Sequence, residues 1–346
     1  MPAPLHRTTK IPAARLAAAA VALGSCLALA VPAGTADAAP ADPVKTVFFG
    51  DSYTANFGIA PVNNPESERG WCFQATKNYP GVATESLKGK GITLDVQADV
   101  SCGGALIHHV WQPQELLQPG SGLSVPEQEK ALTEDTRLIV GSMGGNTLGF
   151  NQILKQCSTK LRGASLLPGD PVDAESPADK CAEFFTSDDG KAWLDYRFEV
   201  VEHQLGDMLN RLFYRAPDAE RVLVGYPRLV PQDTTKCLKA APGQTELPFA
   251  DIPQDALPVL DKIQKRLDDV MKKAAKDEFA DFVDLYDHTG GNTACDGINR
   301  GIGGLLEESQ LDLFGTKIPW YAHPNEEGRD LQAQRVTAKV QEVLNR

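Results

Sequence analysis

Four short stretches hold the side chains that can do chemistry. Ser52 lies in Gly50-Asp51-Ser52-Tyr53, and two adjacent glycines lie in Cys102-Gly103-Gly104-Ala105. Asn146 follows Gly144-Gly145, and His323 lies in Trp320-Tyr321-Ala322-His323-Pro324-Asn325. A serine hydroxyl becomes a nucleophile when a neighbouring base takes its proton. Glycine lets backbone N–H groups approach a ligand closely, and an Asn amide is a neutral donor; both suit a developing oxyanion. Ester hydrolysis needs a hydroxyl, a base, oxyanion donors and a group that orients the base. These residue types meet the first three needs.

The elements around these stretches say whether they can meet. Val47, Phe48 and Phe49 form an apolar strand that ends at Ser52. A second strand is expected over Thr93–Ser101, where Leu94, Val96, Ala98 and Val100 alternate with polar neighbours, and a third over Arg137–Met143. Two more follow at Arg221–Tyr226 and Asp281–Tyr286. Helices are expected in Cys72–Leu87, where Pro80 should break or restart the helix, in Lys191–Tyr214, in about Asp255–Lys276 and after Pro324-Asn325. In the longest, Leu194, Phe198, Val201, Leu205, Met208 and Leu212 share one face. Residues 56–69 and 111–126 read as loops, 155–190 as a surface excursion stapled by Cys157 and Cys181, and 288–319 as irregular. Strands alternating with helices make an α/β protein, a three-layer α/β/α sandwich around a central parallel sheet of about five strands. Parallel strands deliver their C-terminal ends to one edge, so Ser52, the glycine pair and Asn146 should converge there.

The first residues have the pattern of an export signal. Arg7, Lys10 and Arg15 precede an apolar run from Leu16 to Val31, and Ala36-Asp37-Ala38 fits a cleavage site, with no Arg-Arg pair. The run is about sixteen residues, short for a membrane span. Leu23-Gly24-Ser25-Cys26 loosely resembles a lipoprotein cleavage box, but the apolar run continues past Cys26. The expected division is therefore a signal peptide over 1–38 and one domain over 39–346 with disulfide-tied loops. Loss of 1–38, with three basic residues and one acidic, takes the formal net charge from −12 to −14. That charge argues against nucleic acid or an anionic membrane as a standing partner. Six cysteines remain, an even number in an exported chain. Of fifteen possible pairings, the sequential one is chosen, because each neighbouring pair brackets a loop: Cys72–Cys102, Cys157–Cys181 and Cys237–Cys295. No C-x-x-C spacing suggests a metal, and no cofactor is implied.

With four such stretches in this order, the chain resembles the SGNH, or GDSL-type, hydrolase family, and especially its secreted actinobacterial esterase and lipase branch. The resemblance spans essentially the whole mature chain and implies a flavodoxin-like SGNH hydrolase fold. Gly-Asp-Ser-Tyr matches the first family block and implies Ser52 as nucleophile. Cys-Gly-Gly-Ala stands where this branch usually has Cys-Ser-Gly-Ala, which gives the oxyanion role to Gly104 rather than Gly103. Gly-Gly-Asn assigns Asn146, His-Pro-Asn assigns His323, and Val224-Gly225-Tyr226-Pro227-Arg228 is a further shared strand end. The implied activity is carboxylic ester hydrolysis by a secreted monomer, on a small-molecule or lipid ester and without a permanent membrane anchor. Carbohydrate deacetylation or phospholipid cleavage are alternatives on the same machinery, and a catalytically silent binding protein is a third.

The chain departs from the family at one position. The family commonly has Asp three residues before the His, and here that residue is Trp320. Indole has no acceptor, so the expectation is a Ser52–His323 dyad with the Trp320 main-chain carbonyl holding the ring. The competing expectation is a displaced acid, Glu326, Glu327 or Asp312. His108-His109 reads as a loop pair and His288 as structural. Phe57, Trp71 and Trp111 fit either an acyl pocket or the core.

Overall fold

Five strands form one parallel sheet. They are β1 (Val44–Gly50), β2 (Leu94–Asp99), β3 (Leu138–Ser142), β4 (Glu220–Val224) and β5 (Asp281–Val283). Their order across the sheet is β2-β1-β3-β4-β5. The order reverses at β1, and such a switch point opens a crevice at the carboxyl ends of the strands. The computed structural model describes residues 42–116, 120–164 and 166–346. The expected export signal and Cys26 lie outside the described residues. Ala41–Arg346 forms one compact unit.

The longer helices are α1 (Tyr79–Lys88), α2 (Phe150–Cys157), α3 (Asp188–Arg215), α4 (Leu257–Asp277) and α5 (Glu326–Leu344), and all but α2 cover the sheet. On one face, Tyr79, Ala83 and Leu87 of α1 and Val336, Val340 and Val343 of α5 pack against Phe48, Leu138 and Val222. On the other, Phe198, Val201 and Leu205 of α3 and Leu267 and Met271 of α4 pack against Val47, Phe49 and Ile139. Residues 46–50 of β1 are therefore buried on both faces, which is why that strand is almost continuously apolar. β2 is the edge, and of its alternating set Leu94 is buried while Val96 is exposed.

Several expected segments differ in the structure. The helix expected from Cys72 begins at Tyr79. Asn78 caps it by accepting from the Gly81 N–H at 3.1 Å. Pro80 starts this helix rather than breaking it, because first-turn N–H groups have no helical partner to lose. Most described residues of 155–190 are exposed or half-buried, as expected of a surface excursion, but its two cysteines belong to the core. Cys157 closes α2, Cys181 opens the helix Cys181–Thr186, and both are fully buried in the main core. Within 288–319 a hairpin forms, Glu308–Leu313 with Thr316–Pro319. Its turn residues Phe314 and Gly315 have φ of 55° and 84°, without the Asn-Gly or Asp-Gly that would have signalled it. In 111–126, Gln114–Glu115 pairs with Ser124–Val125.

The disulfides join Cys72 to Cys102, Cys157 to Cys181 and Cys237 to Cys295. Their sequence separations of 30, 24 and 58 residues correspond to roughly 3–4 kcal/mol each on the loop-entropy estimate. Among the described residues, no helix is long and apolar enough to cross a membrane.

Candidate active site

Ser52 opens a short helix, Ser52–Ala55, directly after β1. Gly50 makes the turn possible. Its φ is 142°, and a Cβ there would sit 2.2 Å from Thr54 Oγ1 and 2.8 Å from the Ser142 carbonyl. Gln128 holds the same glycine from both sides, accepting from its N–H at 2.8 Å and donating to its carbonyl at 3.0 Å. Asp51 caps the short helix by accepting from the Tyr53 N–H at 2.9 Å.

His323 comes from the far end of the chain. Its Nε2 is 2.8 Å from Ser52 Oγ, and its Nδ1 is 2.9 Å from the Trp320 carbonyl and 3.1 Å from the Tyr321 carbonyl. A nitrogen facing two carbonyls carries the ring proton, which leaves Nε2 to accept from the serine hydroxyl. The chain reaches this geometry through two consecutive left-handed residues, Tyr321 (φ 48°) and Ala322 (φ 60°). Such residues cost roughly 1–3 kcal/mol each. Here the turn is held from outside: the Ala322 carbonyl accepts from Tyr53 Oη at 2.8 Å, and the His323 carbonyl from the Gly303 N–H at 3.0 Å. Burial pushes the imidazole down to about 4, opposed only by the two carbonyls.

The three candidate acids lie elsewhere. Glu326 and Glu327 are exposed in the first turn of α5. Asp312 is exposed and accepts from the Gly315 N–H at 2.7 Å in the hairpin turn. With a carbonyl orienting His323, alanine at each of these three should leave kcat within about tenfold, whereas losing a triad acid costs about 10⁴. The imidazole must be neutral to act as a base, so kcat/KM should hold as pH falls through 6 and drop only near pH 4. A limb near pH 7 would point instead to Asp51, whose carboxyl complete burial pushes up to about 7. A thousandfold loss in a single folded acid variant would refute the carbonyl arrangement.

Gly104 and Asn146 come from the neighbouring strand ends. Gly104 follows the end of β2, where the Cys102 N–H donates to the Gly50 carbonyl at 3.0 Å. Asn146 follows β3 in the helix Gly145–Leu148, and one N–H of its amide donates to the Ala105 carbonyl at 3.1 Å. Ser52, Gly104, Asn146 and His323 all line one cavity of about 460 Å³.

Tyr226 was not singled out for a role in the sequence. Tyr226, beyond β4, donates its hydroxyl to Asp51 Oδ2 at 2.5 Å and accepts from the Gly145 N–H at 2.8 Å. One phenol thus ties the serine loop to the residue before Asn146. The signal was present, since Tyr226 follows a strand that ends at the same edge, but its partner lies 175 residues away.

The remaining candidates divide. His109 lines the cavity, with Nδ1 accepting from the Leu106 N–H at 2.9 Å, and burial pushes it down to about 4. Its neighbour His108 is 4.4 Å away, ring to ring. Among the described residues, no three His, Cys, Asp or Glu side chains are placed to hold a metal. His288 bonds through Nδ1 to the Asp284 carbonyl. Phe57 and Trp71 line the cavity, while Trp111 packs under Arg211 at 5.6 Å.

Comparison with known proteins gives a consistent picture. An esterase of Streptomyces scabiei is 72% identical over 347 residues, covering all of both chains. Lipase 2 of Streptomyces coelicolor is 30% identical over 288 residues, covering 82% of this chain and 84% of its own. The crystal structure of an extracellular lipase from Streptomyces rimosus superposes with a TM-score of 0.58 at 19% identity, covering 86% of this chain and 99% of that one. That structure shares the fold. A family model, the GDSL-like lipase/acylhydrolase family, matches residues 48–331. The chain belongs to the GDSL-like lipase/acylhydrolase family.

Proposed function

We propose that this chain is a secreted serine esterase or lipase working through a Ser52–His323 dyad. The observation that carries the reading is the Ser52 Oγ to His323 Nε2 contact of 2.8 Å, with Nδ1 held by the Trp320 carbonyl at 2.9 Å. Ser52 attacks the ester carbonyl carbon as Nε2 takes its proton. The oxyanion is held by the Ser52 and Gly104 backbone N–H groups and the Asn146 amide. Imidazolium then protonates the departing alcohol, and the acyl group stays on Ser52 Oγ. Water, deprotonated by the same nitrogen, releases the acid and restores the hydroxyl. The carbonyl fixes the tautomer without bringing a full charge to the imidazolium.

Export is supported by the leader pattern of residues 1–38 and by three disulfides. The proposed site is assembled within one chain, which fits a monomer. A net charge of −12 disfavours a nucleic-acid partner. The cavity is also lined by Leu148, Ile153, Leu154, Leu260 and Ile263, apolar side chains that suit an acyl chain longer than acetate. An ester panel from acetate to long acyl chains, with phospholipid and acetylated sugar included, should show the highest kcat/KM on a neutral acyl ester. A serine-directed phosphonate should stop turnover and modify Ser52 alone. Adduct on any other residue, or turnover that survives the reagent, would overturn the assignment.

A further inference from the structure

Part of the cavity lining next to His323 is aromatic. Phe57, Phe73 and Trp71 all line it. The Phe57 ring packs on His323 with centroids 4.9 Å apart. From there the row continues edge to face, Phe57 to Phe73 at 5.4 Å and 81°, and Phe73 to Trp71 at 6.1 Å and 89°. Trp71 reaches Phe314 at 6.5 Å, and Phe314 stands 92% exposed at the tip of the hairpin. An aromatic row therefore runs from the base to the surface.

Its position is built in. Trp71 and Phe73 flank Cys72, which is bonded to Cys102, and the Gly103 N–H donates to the Cys72 carbonyl at 2.8 Å. The row is thus bolted to the segment that carries Gly104. Phe57 is buried, whereas Trp71 and Phe73 pack against the core yet stay only half-buried and line the cavity, and Phe314 packs on no core cluster.

We infer that this row is a subsite for esters whose alcohol part carries an aromatic ring. The inference rests on the dyad reading and deepens it. His323 Nε2 must reach the alcohol oxygen to protonate it, so the alcohol leaves beside the ring on which Phe57 packs. Edge-to-face neighbours offer an incoming ring both a face and an edge, the arrangements aromatic pairs prefer. The acyl part is left the other apolar side chains of the lining, Leu148, Ile153, Leu154, Leu260 and Ile263 among them.

Benzyl acetate and cyclohexylmethyl acetate test the inference, because they share size, acyl group and a primary alcohol. The wild-type protein should favour the benzyl ester in kcat/KM by roughly three- to tenfold. Trp71→Leu should bring that ratio to about one, and Trp71→Phe should keep most of it. Phe314→Ser, on an exposed tip, should lower the ratio in part and serves if Trp71→Leu does not fold. Ethyl phenylacetate against ethyl cyclohexylacetate places the ring on the acyl side, where no Trp71-dependent preference is expected. A wild-type ratio near one, a ratio untouched by both variants, or a Trp71-dependent preference on the acyl side would overturn the subsite. Failure of the wild-type protein to cleave any of these esters would overturn the esterase reading itself.

Discussion

Ser52→Ala, His323→Ala and the double variant should each lower kcat by a similar factor, on the order of 10⁶. In the proposed dyad the two side chains act as one unit across their 2.8 Å contact. Without the base the hydroxyl keeps its proton, and without the hydroxyl the base has nothing to activate. Losses from such a pair do not multiply. What survives should come from the oxyanion donors and substrate binding. Ser52→Ala removes one hydroxyl whose side-chain partner is His323, so the fold should stand. Kinetics on one soluble ester, with near-ultraviolet circular dichroism to confirm folding, decide the matter. A double variant far slower than either single one would show two independent contributions instead of a dyad.

Asn146→Ala should cost roughly 10²–10³ in kcat, the usual value of one oxyanion donor, with little change in KM. One amide hydrogen is committed to the Ala105 carbonyl at 3.1 Å, which fixes the amide plane. The second hydrogen is left for the cavity that Asn146 shares with Ser52 and Gly104. The hydrogen bond to Ala105 makes a folding contribution of about 1 kcal/mol, so melting should move by only a few degrees. Asn146→Asp keeps the size but replaces the amide donor with an acceptor, and should be at least as slow. An alanine variant with unchanged kcat would remove Asn146 from the oxyanion site.

Much of this arrangement was legible because it is local. Val47, Phe48 and Phe49 had to be a strand buried on both faces, and a glycine turn had to follow. Gly144-Gly145-Asn146 repeated that logic after the third strand, and parallel pairing brought the ends together. What was not legible depends on contacts made far along the chain. The Tyr226 hydroxyl finds Asp51 across 175 residues, and nothing near either residue announces it. The segment 155–190 read as surface from its prolines and charges, which hid how deeply its two cysteines are anchored. Its helices are short, and the two cysteines between them reach the core. The hairpin after Glu308 escaped because a phenylalanine occupies a left-handed turn position.

The Trp320 carbonyl has a consequence for where sequence variation is tolerated. Its indole is wedged between two glycines: a Cβ on Gly58 would lie 2.3 Å from indole Cε3, and one on Gly303 would lie 2.1 Å from Cγ. In the proposed dyad, the orienting carbonyl is therefore encoded less by the residue that owns it than by the two that leave room for its side chain. In a saturation scan read out by kcat, Trp320→Phe should keep most activity, while alanine at Gly58 or Gly303 should be heavily penalised. A search for the missing acid by mutational sensitivity would then return a pair of glycines. If both alanine variants ran at the wild-type rate, the register of the carbonyl would have to be set by something other than this fit.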